Sequence, residues 1–341
     1  MLGDLMSSIA NRQYRLARRP VGMPDRGTWE YTQAPVPPLA EGDVLVKALY
    51  LSLDPAMRGW MSEGRSYIPP VEIGEVMRAG MAGRVLASRN PDFAEGELVT
   101  GILGAQEYAV ARGDDLTKVD PAHPLPVHLH ALGVPGMTAY FGLLDVAQLQ
   151  PGERVVVSGA AGAVGMMVGQ IAKIRGCRVV GIAGGPEKCR YLVEELGFDA
   201  AIDYKSEDVT VALRQHFRRG INVYFDNVGG DILDAALANL ARGARVVLCG
   251  AISQYNSASG ASGPKNYMSL LVHRATMKGM LVFDYIPRYG EAIRDITAWM
   301  AEGKLKSKPH IIEGLDAFPE ALLKLFRGES FGKLMLKVAD G

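Results

Sequence analysis

The sequence predicts an α/β protein in which a barrel-like β domain carries an inserted, doubly wound parallel sheet. Three observations predict it. Residues 1–132 hold closely spaced β-type segments broken by Pro, Asp and Gly. Residues 133–303 alternate short apolar runs with helical stretches, the mark of a parallel sheet covered on both faces. Residues 304–341 return to a strand pattern that suits the first domain.

In the first region, Gln13-Tyr14-Arg15-Leu16-Ala17 alternates as an opening strand. Arg12, Arg15, Arg18 and Arg19 also have the basic texture of a mitochondrial presequence, but the alternation favours the strand. Met1–Asp4 read as a start-site extension ahead of Met6. Gly42–Tyr50, Gly80–Leu86, Gly96–Gly101 and Glu107–Val110 follow as strands, and so many strands with little helix imply a compact barrel. In the second region, strand Val155–Val157 leads to helix Gly162–Arg175, strand Arg178–Ile182 and helix Glu187–Leu196. Strand Ala200–Ile202, helix Val209–Arg218 and strand Asn222–Phe225 come next. The segments Asp231–Leu240, Arg245–Leu248 and Thr276–Val282 continue the series, and a helix at Glu291–Ala301 closes it. Helix Pro319–Phe326 and strand Lys333–Val338 complete the chain.

The most informative stretch is Arg154-Val155-Val156-Val157-Ser158-Gly159-Ala160-Ala161-Gly162-Ala163-Val164-Gly165. An apolar run turns through glycines into a small-residue helix, which presents backbone N–H groups to a pyrophosphate. A glycine pattern alone is weak evidence. With a strand before and a helix after, it reads as a dinucleotide site, expected in the cleft between the two domains. In NAD-binding units an acid at the tip of the second strand accepts from the adenosine ribose. That strand ends Val180-Gly181-Ile182-Ala183-Gly184-Gly185, without an acid, and Lys188 follows. The pattern points to NADPH, with Lys188 as counter-charge for the 2′-phosphate and Arg190 and Lys173 as secondary candidates.

Composition narrows the class. The formal charge is zero, 37 basic residues against 37 acidic, so nothing favours nucleic acid or an anionic membrane surface. No apolar run approaches the ~20 residues of a membrane span. Three cysteines, Cys177, Cys189 and Cys249, make no disulfide framework, and a cytoplasmic location is expected. Catalytic zinc takes three protein ligands from Cys, His and carboxylates. The first 176 residues contain no cysteine and Ile73–Val85 no histidine, so no metal is expected. His128 and His130 are read as surface or capping residues, and Cys249 as a buried, inert thiol. Asp54 and Arg58 read either as a pair near the cleft or as part of a structuring salt bridge.

These residues resemble the zinc-free medium-chain dehydrogenase/reductases, in particular the leukotriene B4 12-hydroxydehydrogenase / prostaglandin reductase (alkenal/one oxidoreductase) group. The resemblance rests on Leu51-Ser52-Leu53-Asp54-Pro55-Ala56-Met57-Arg58-Gly59, on Val134–Leu144, on Gly159–Gly165, on Tyr224-Phe225-Asp226-Asn227-Val228-Gly229-Gly230 and on Cys249–Asn256. It implies a GroES-like catalytic domain (1–132 plus 304–341) with an inserted Rossmann domain (133–303), and reduction of an activated C=C bond with NADPH by a cytoplasmic homodimer. It further implies that Gly162, Ala163, Val164 and Gly165 meet the pyrophosphate, Lys188 the 2′-phosphate, Tyr204 the adenosine half, and that Asn227 binds the coenzyme through its amide. Cys249, Gly250, Ala251, Ile252, Ser253 and Tyr255 would cover the coenzyme. Met280, Leu281 and Val282 would flank the nicotinamide, and Met137 and Thr138 line its pocket. Two departures stand out. Ala56 replaces the group's Tyr after Asp-Pro, changing a substrate pocket shared with Tyr67 and Tyr255, and Ser330 replaces an Asn that contacts coenzyme.

The implied chemistry is hydride addition to the β-carbon of an α,β-unsaturated ketone or aldehyde. Charge then develops on the carbonyl oxygen and calls for a positioned donor, for which Tyr255 is the catalytic candidate. The alternative for Tyr255 is packing within its own loop. Two competing functions stand beside this one, a zinc-independent quinone reductase and a non-catalytic NADPH-binding protein.

Overall fold

The computed structural model describes residues 9–341. The start-site question at Met1–Asp4 lies outside the described residues. The chain divides into two compact units, one running to Leu129 and resuming at Pro309–Gly341, the other His130–Lys308.

In the first unit, β1 (Ala10–Leu16) pairs antiparallel with β2 (Trp29–Pro35). The four arginines of the presequence-like texture are tied into this fold. Arg12 pairs with Glu107, Arg18 with Asp25 and Arg19 with Glu63, while Arg15 donates to Gly74 O. β3 (Asp43–Ser52), β4 (Gly80–Ser88), β5 (Leu98–Ile102), β6 (Tyr108–Arg112) and β7 (Leu116–Lys118) form the main sheet with Pro309–Glu313 and Lys333–Lys337. The C-terminal strand Lys333–Lys337 pairs antiparallel with β3 and so joins this unit, but it does not alternate: Lys333 through Leu336 are all buried. Val44, Val46, Leu51, Met57, Met81 and Leu336 meet in one core on which the helix Phe318–Phe326 also packs. The structuring salt bridge is made by Lys333, 1% exposed, whose ammonium donates to Asp54 and to Leu53 O. Arg58, in the short helix α1 (Ala56–Trp60), serves the carbonyls of Pro20 and Gly22 and the Ser62 hydroxyl. A second short helix, α2 (Leu125–His128), ends the first pass of this unit.

The second unit opens with α3 (Val134–Phe141) and holds six parallel strands. These are β8 (Arg154–Ser158), β9 (Arg178–Ala183), β10 (Ala200–Asp203), β11 (Ile221–Asp226), β12 (Leu240–Leu248) and β13 (Thr276–Gly279). Between them run α4 (Ala163–Ile174), α5 (Pro186–Glu194), α6 (Val209–His216), α7 (Gly230–Leu237) and α8 (Met268–His273), and α9 (Tyr289–Ala301) follows. The spatial order β10-β9-β8-β11-β12-β13 reverses direction between β8 and β11. Ligands of such sheets bind outside the carboxyl ends of the strands at that reversal. Leu240 belongs to a strand, not to the helix before it, because that helix ends at Leu237 and Leu240 pairs with Ile221. Thr276–Val282 is strand only to Gly279; the chain then leaves the sheet edge in a 3-10 turn starting at Val282.

Candidate active site

At the reversal, β8 ends on Ser158 and β11 on Asp226. Both are fully buried, and their hydroxyl and carboxylate meet at 2.9 Å. Asp226 Oδ1 also accepts from Tyr224 Oη at 2.8 Å and from the backbone N–H groups of Val228 and Gly229. Burial first, and then this carboxylate, push the Tyr224 phenol well above its usual 10.0, so it stays a donor. The turn after β11 is thereby held against the turn after β8. Asn227 N–H donates to Ser158 Oγ and its side-chain amide to Ser158 O at 2.8 Å. The amide assigned to coenzyme is therefore also a strand-to-strand tie.

Beyond Ser158 the chain turns at Gly159 (φ +58°) and enters α4, whose N-cap Gly162 has no side-chain cap. The first N–H groups of such a helix have no intrahelical partner and point outward. Gly165 is dictated by space, since a Cβ there would lie 2.3 Å from Gly159 O. This cradle fits a pyrophosphate.

At the tip of β9, Gly184 lies under the Tyr204 ring; a Cβ on Gly184 would come within 2.8 Å of its hydroxyl. Lys188, third in α5, is half-buried, and burial and then nearby Lys205 lower it from the ordinary lysine value. Lys205 is a second cation that motif reading missed, because it follows β10, seventeen positions after Lys188 in the chain. Asp203 Oδ1, the acid at this corner, is taken up by Gly185 N and Lys205 N, at 2.8 and 3.0 Å. The corner suits a 2′-phosphate. Lys173 is removed from the candidates: it sits in the last turn of α4 and pairs with Asp199 at 2.9 Å. Asp199 also accepts from Val179 N, at the opposite end of β9. Arg190 is exposed on α5.

The 249–255 loop is pinned to the β11 turn. Cys249 N and Gly250 N donate to Asp226 O, Ile252 N to Asn227 O and Ser253 N to Val228 O. Tyr255 Oη accepts from Ala251 N at 3.1 Å, so the phenol reaches back across its own loop. Gly159, Asn227, Gly229 and Ala251 thus form a continuous wall. Cys249 is half-buried rather than buried, and desolvation and then Asp226 push its thiol up to about 12, which leaves it a poor nucleophile at neutral pH. Met280 is buried beside Gly142 and Phe225, and its N–H donates to Leu248 O. Leu281 is half-buried and Val282 buried. Met137 is fully buried on α3, where the Thr138 hydroxyl donates to Val134 O.

His130 corrects the surface reading. It is 0% exposed, with Nε2 3.0 Å from Ala163 O and Nδ1 2.8 Å from Ser307 Oγ. A carbonyl only accepts, so Nε2 carries a proton and donates to Ala163 O. His128 is half-buried, with Nε2 2.9 Å from Asp120 O. In the other unit, Ala56 starts α1 against the core and Tyr67 is exposed, its hydroxyl accepting from Trp60 Nε1. Ser330 is half-buried just before Lys333–Lys337. Among the described residues no three His, Cys, Asp or Glu side chains gather as metal ligands would. Among them, too, no helix is long and apolar enough to cross a membrane.

A Rossmann sheet with an uncapped glycine cradle and a lysine corner, in a chain whose β unit is split around it, defines a pyridine-nucleotide oxidoreductase. Comparison with known proteins agrees. Residues 12–119 match the family described as N-terminal domain of oxidoreductase, and residues 163–298 that described as zinc-binding dehydrogenase. The chain is 42% identical to the NADPH-dependent curcumin reductase of Escherichia coli, over 96% of this chain and 97% of that one. It is 39% identical to the NADP-dependent 2-alkenal reductase of Nicotiana tabacum, over 98% and 99%. The solved structure of CurA from Vibrio vulnificus in complex with NADPH superposes with a TM-score of 0.92, at 44% identity, covering 97% of this chain and 100% of that one. The chain belongs to the medium-chain dehydrogenase/reductase family. It is an NADP-dependent oxidoreductase of the alkenal, prostaglandin and curcumin reductase type, and its coenzyme is NADPH.

Proposed function

We propose that the protein reduces the C=C bond of α,β-unsaturated ketones and aldehydes. The observation that carries this is the wall from Gly159 through Asn227 to the Tyr255 loop, which sets a phenol beside the coenzyme cradle. Bound NADPH supplies a hydride, which is added to the β-carbon. The protein's own part is to hold the ring and to meet the charge that grows on the carbonyl oxygen. Met280, Val282, Met137 and Thr138 give the ring an apolar setting that excludes water. Asn227 and the 249–255 loop would bind and cover the coenzyme. Tyr255 Oη accepts from Ala251 N–H, and that backbone bond polarises the phenol as a donor toward an enolate oxygen. Solvent returns the proton to the α-carbon. Ala56 and Tyr67 are substrate residues by the family resemblance alone, and Ala56 in place of Tyr would alter the substrate preference. Ser330 offers a hydroxyl to the coenzyme.

The test is steady-state NADPH oxidation with an enone, an enal and a quinone, with product analysis. A saturated ketone with its carbonyl retained is expected, with the enone ahead of the quinone in kcat/KM. Tyr255→Phe should lower kcat/KM for the enone roughly ten- to hundredfold. An unchanged value removes the donor role, and a preference for quinone replaces the substrate class.

The open edge of the second unit's sheet supports a homodimer. β13 is the last strand, and α8 beside it exposes Met268, Leu271 and Val272, at 50, 71 and 61%. The three cysteines without disulfides suit a cytoplasmic setting.

A further inference from the structure

The amino ends of the parallel strands, opposite the coenzyme cradle, gather arginine. Arg154 opens β8 and Arg178 opens β9, in register with each other. Arg214 lies in the last turn of α6, Arg218 and Arg219 follow it, and Arg242 sits where the β11–β12 register shifts. Two hollows of about 350 and 410 Å³ open between them and share Phe217, Arg218 and Arg219. Neither is lined by a carboxylate. Among the described residues none of these six arginines forms an ion pair. Glu153, next to Arg154, has both oxygens engaged by Arg245.

The basin is built rather than incidental. Arg154 donates to Gly220 O at 2.5 Å and to Arg219 O at 3.2 Å, fixing the loop that carries Arg218 and Arg219. The Arg178 guanidinium lies 5.4 Å over the Phe217 ring. The α6 C-terminus adds a partial negative charge of about one half, small against the arginines around it. In a chain with equal acid and base, such a concentration of unneutralised guanidinium raises a strong local positive potential. Guanidinium forks bind phosphoryl oxygens in pairs.

We propose that this basin binds a small oligoanion with two or three linked phosphoryl groups, separately from the coenzyme. Two hollows that share Phe217, Arg218 and Arg219 suit linked phosphoryl groups better than a single phosphate.

The test is calorimetric titration of inorganic tripolyphosphate into NADPH-saturated, full-length protein at low ionic strength, with orthophosphate, a single-stranded RNA oligonucleotide and phosphatidylserine vesicles as further arms. One-to-one tripolyphosphate binding is expected, at least tenfold tighter than orthophosphate. It should weaken at least tenfold in the double variant Arg218→Ala/Arg219→Ala with enone turnover unchanged, and persist in Lys188→Ala. The pair Arg214→Ala/Arg242→Ala, on separate elements, repeats the measurement should the first variant fold poorly. Absence of heat at millimolar tripolyphosphate overturns the site. So does binding that Lys188→Ala removes and both arginine pairs leave intact, or binding of RNA or vesicles without tripolyphosphate.

Discussion

Lys188 is where a single charge separates two coenzymes. A charge-assisted hydrogen bond to phosphate contributes ~1.5–3 kcal/mol. Lys188→Ala should therefore weaken NADPH roughly ten- to hundredfold and leave NADH almost unchanged. Lys205 softens the loss, and equal losses for both coenzymes would remove Lys188 from the 2′-phosphate. Burial and Lys205 disfavour the charged form, so the empty site releases its proton below the ordinary lysine value of 10.5. Only the protonated form attracts phosphate. NADPH affinity is thus held at neutral pH and lost as pH rises, beginning before an exposed lysine would titrate; NADH affinity should show no such fall over the same range. Asp226 acts through the fold rather than through charge on a ligand. Its Oδ1 gathers two hydroxyls and two backbone N–H groups. Asp226→Ala strands those donors in a dry interior and should cost about 3 kcal/mol by denaturant titration.

Among the elements, the turn from β8 into α4 carries the sharpest steric demand. A Cβ at Gly165 would overlap Gly159 O at 2.3 Å, whereas one at Gly162 would come no nearer than 3.2 Å. Gly165→Ala should push the helix from the strand and abolish measurable NADPH binding, while Gly162→Ala should reduce it less than tenfold. Comparable titrations for the two would show that the cradle does not depend on close approach. This turn was legible in the sequence because its glycines are local. The six parallel strands were legible for the same reason, since each is a short apolar run between turn residues. β2 and α8 were not: Trp29–Pro35 mixes Glu, Thr and Gln with its aromatics, and Met268–His273 leaves an apolar face in solvent. Lys205, Ser158 and the buried role of His130 escaped because each depends on a partner distant in the chain. A lone histidine two residues from another looks like surface until Ala163 and Ser307 are seen to close on it.

For the molecule as a whole, edge pairing makes a clear demand. Leu271→Glu with Val272→Glu places two charges on the face of α8 beside β13, and light scattering should then show a monomer with an unchanged melting temperature. A wild type already monomeric at micromolar concentration would end the dimer reading. Net charge misleads at this scale, because a balanced total hides the arginine basin that only the tertiary arrangement assembles. The His130 strut has a further consequence. It joins the first residue of the second unit to Ser307, one position before that unit's last residue, at 2.8 Å. The excursion of the polypeptide through the Rossmann unit therefore begins and ends at almost one point. A short peptide could bridge that gap at little entropic cost, so evolution or an engineer could exchange the whole coenzyme module without reopening its host.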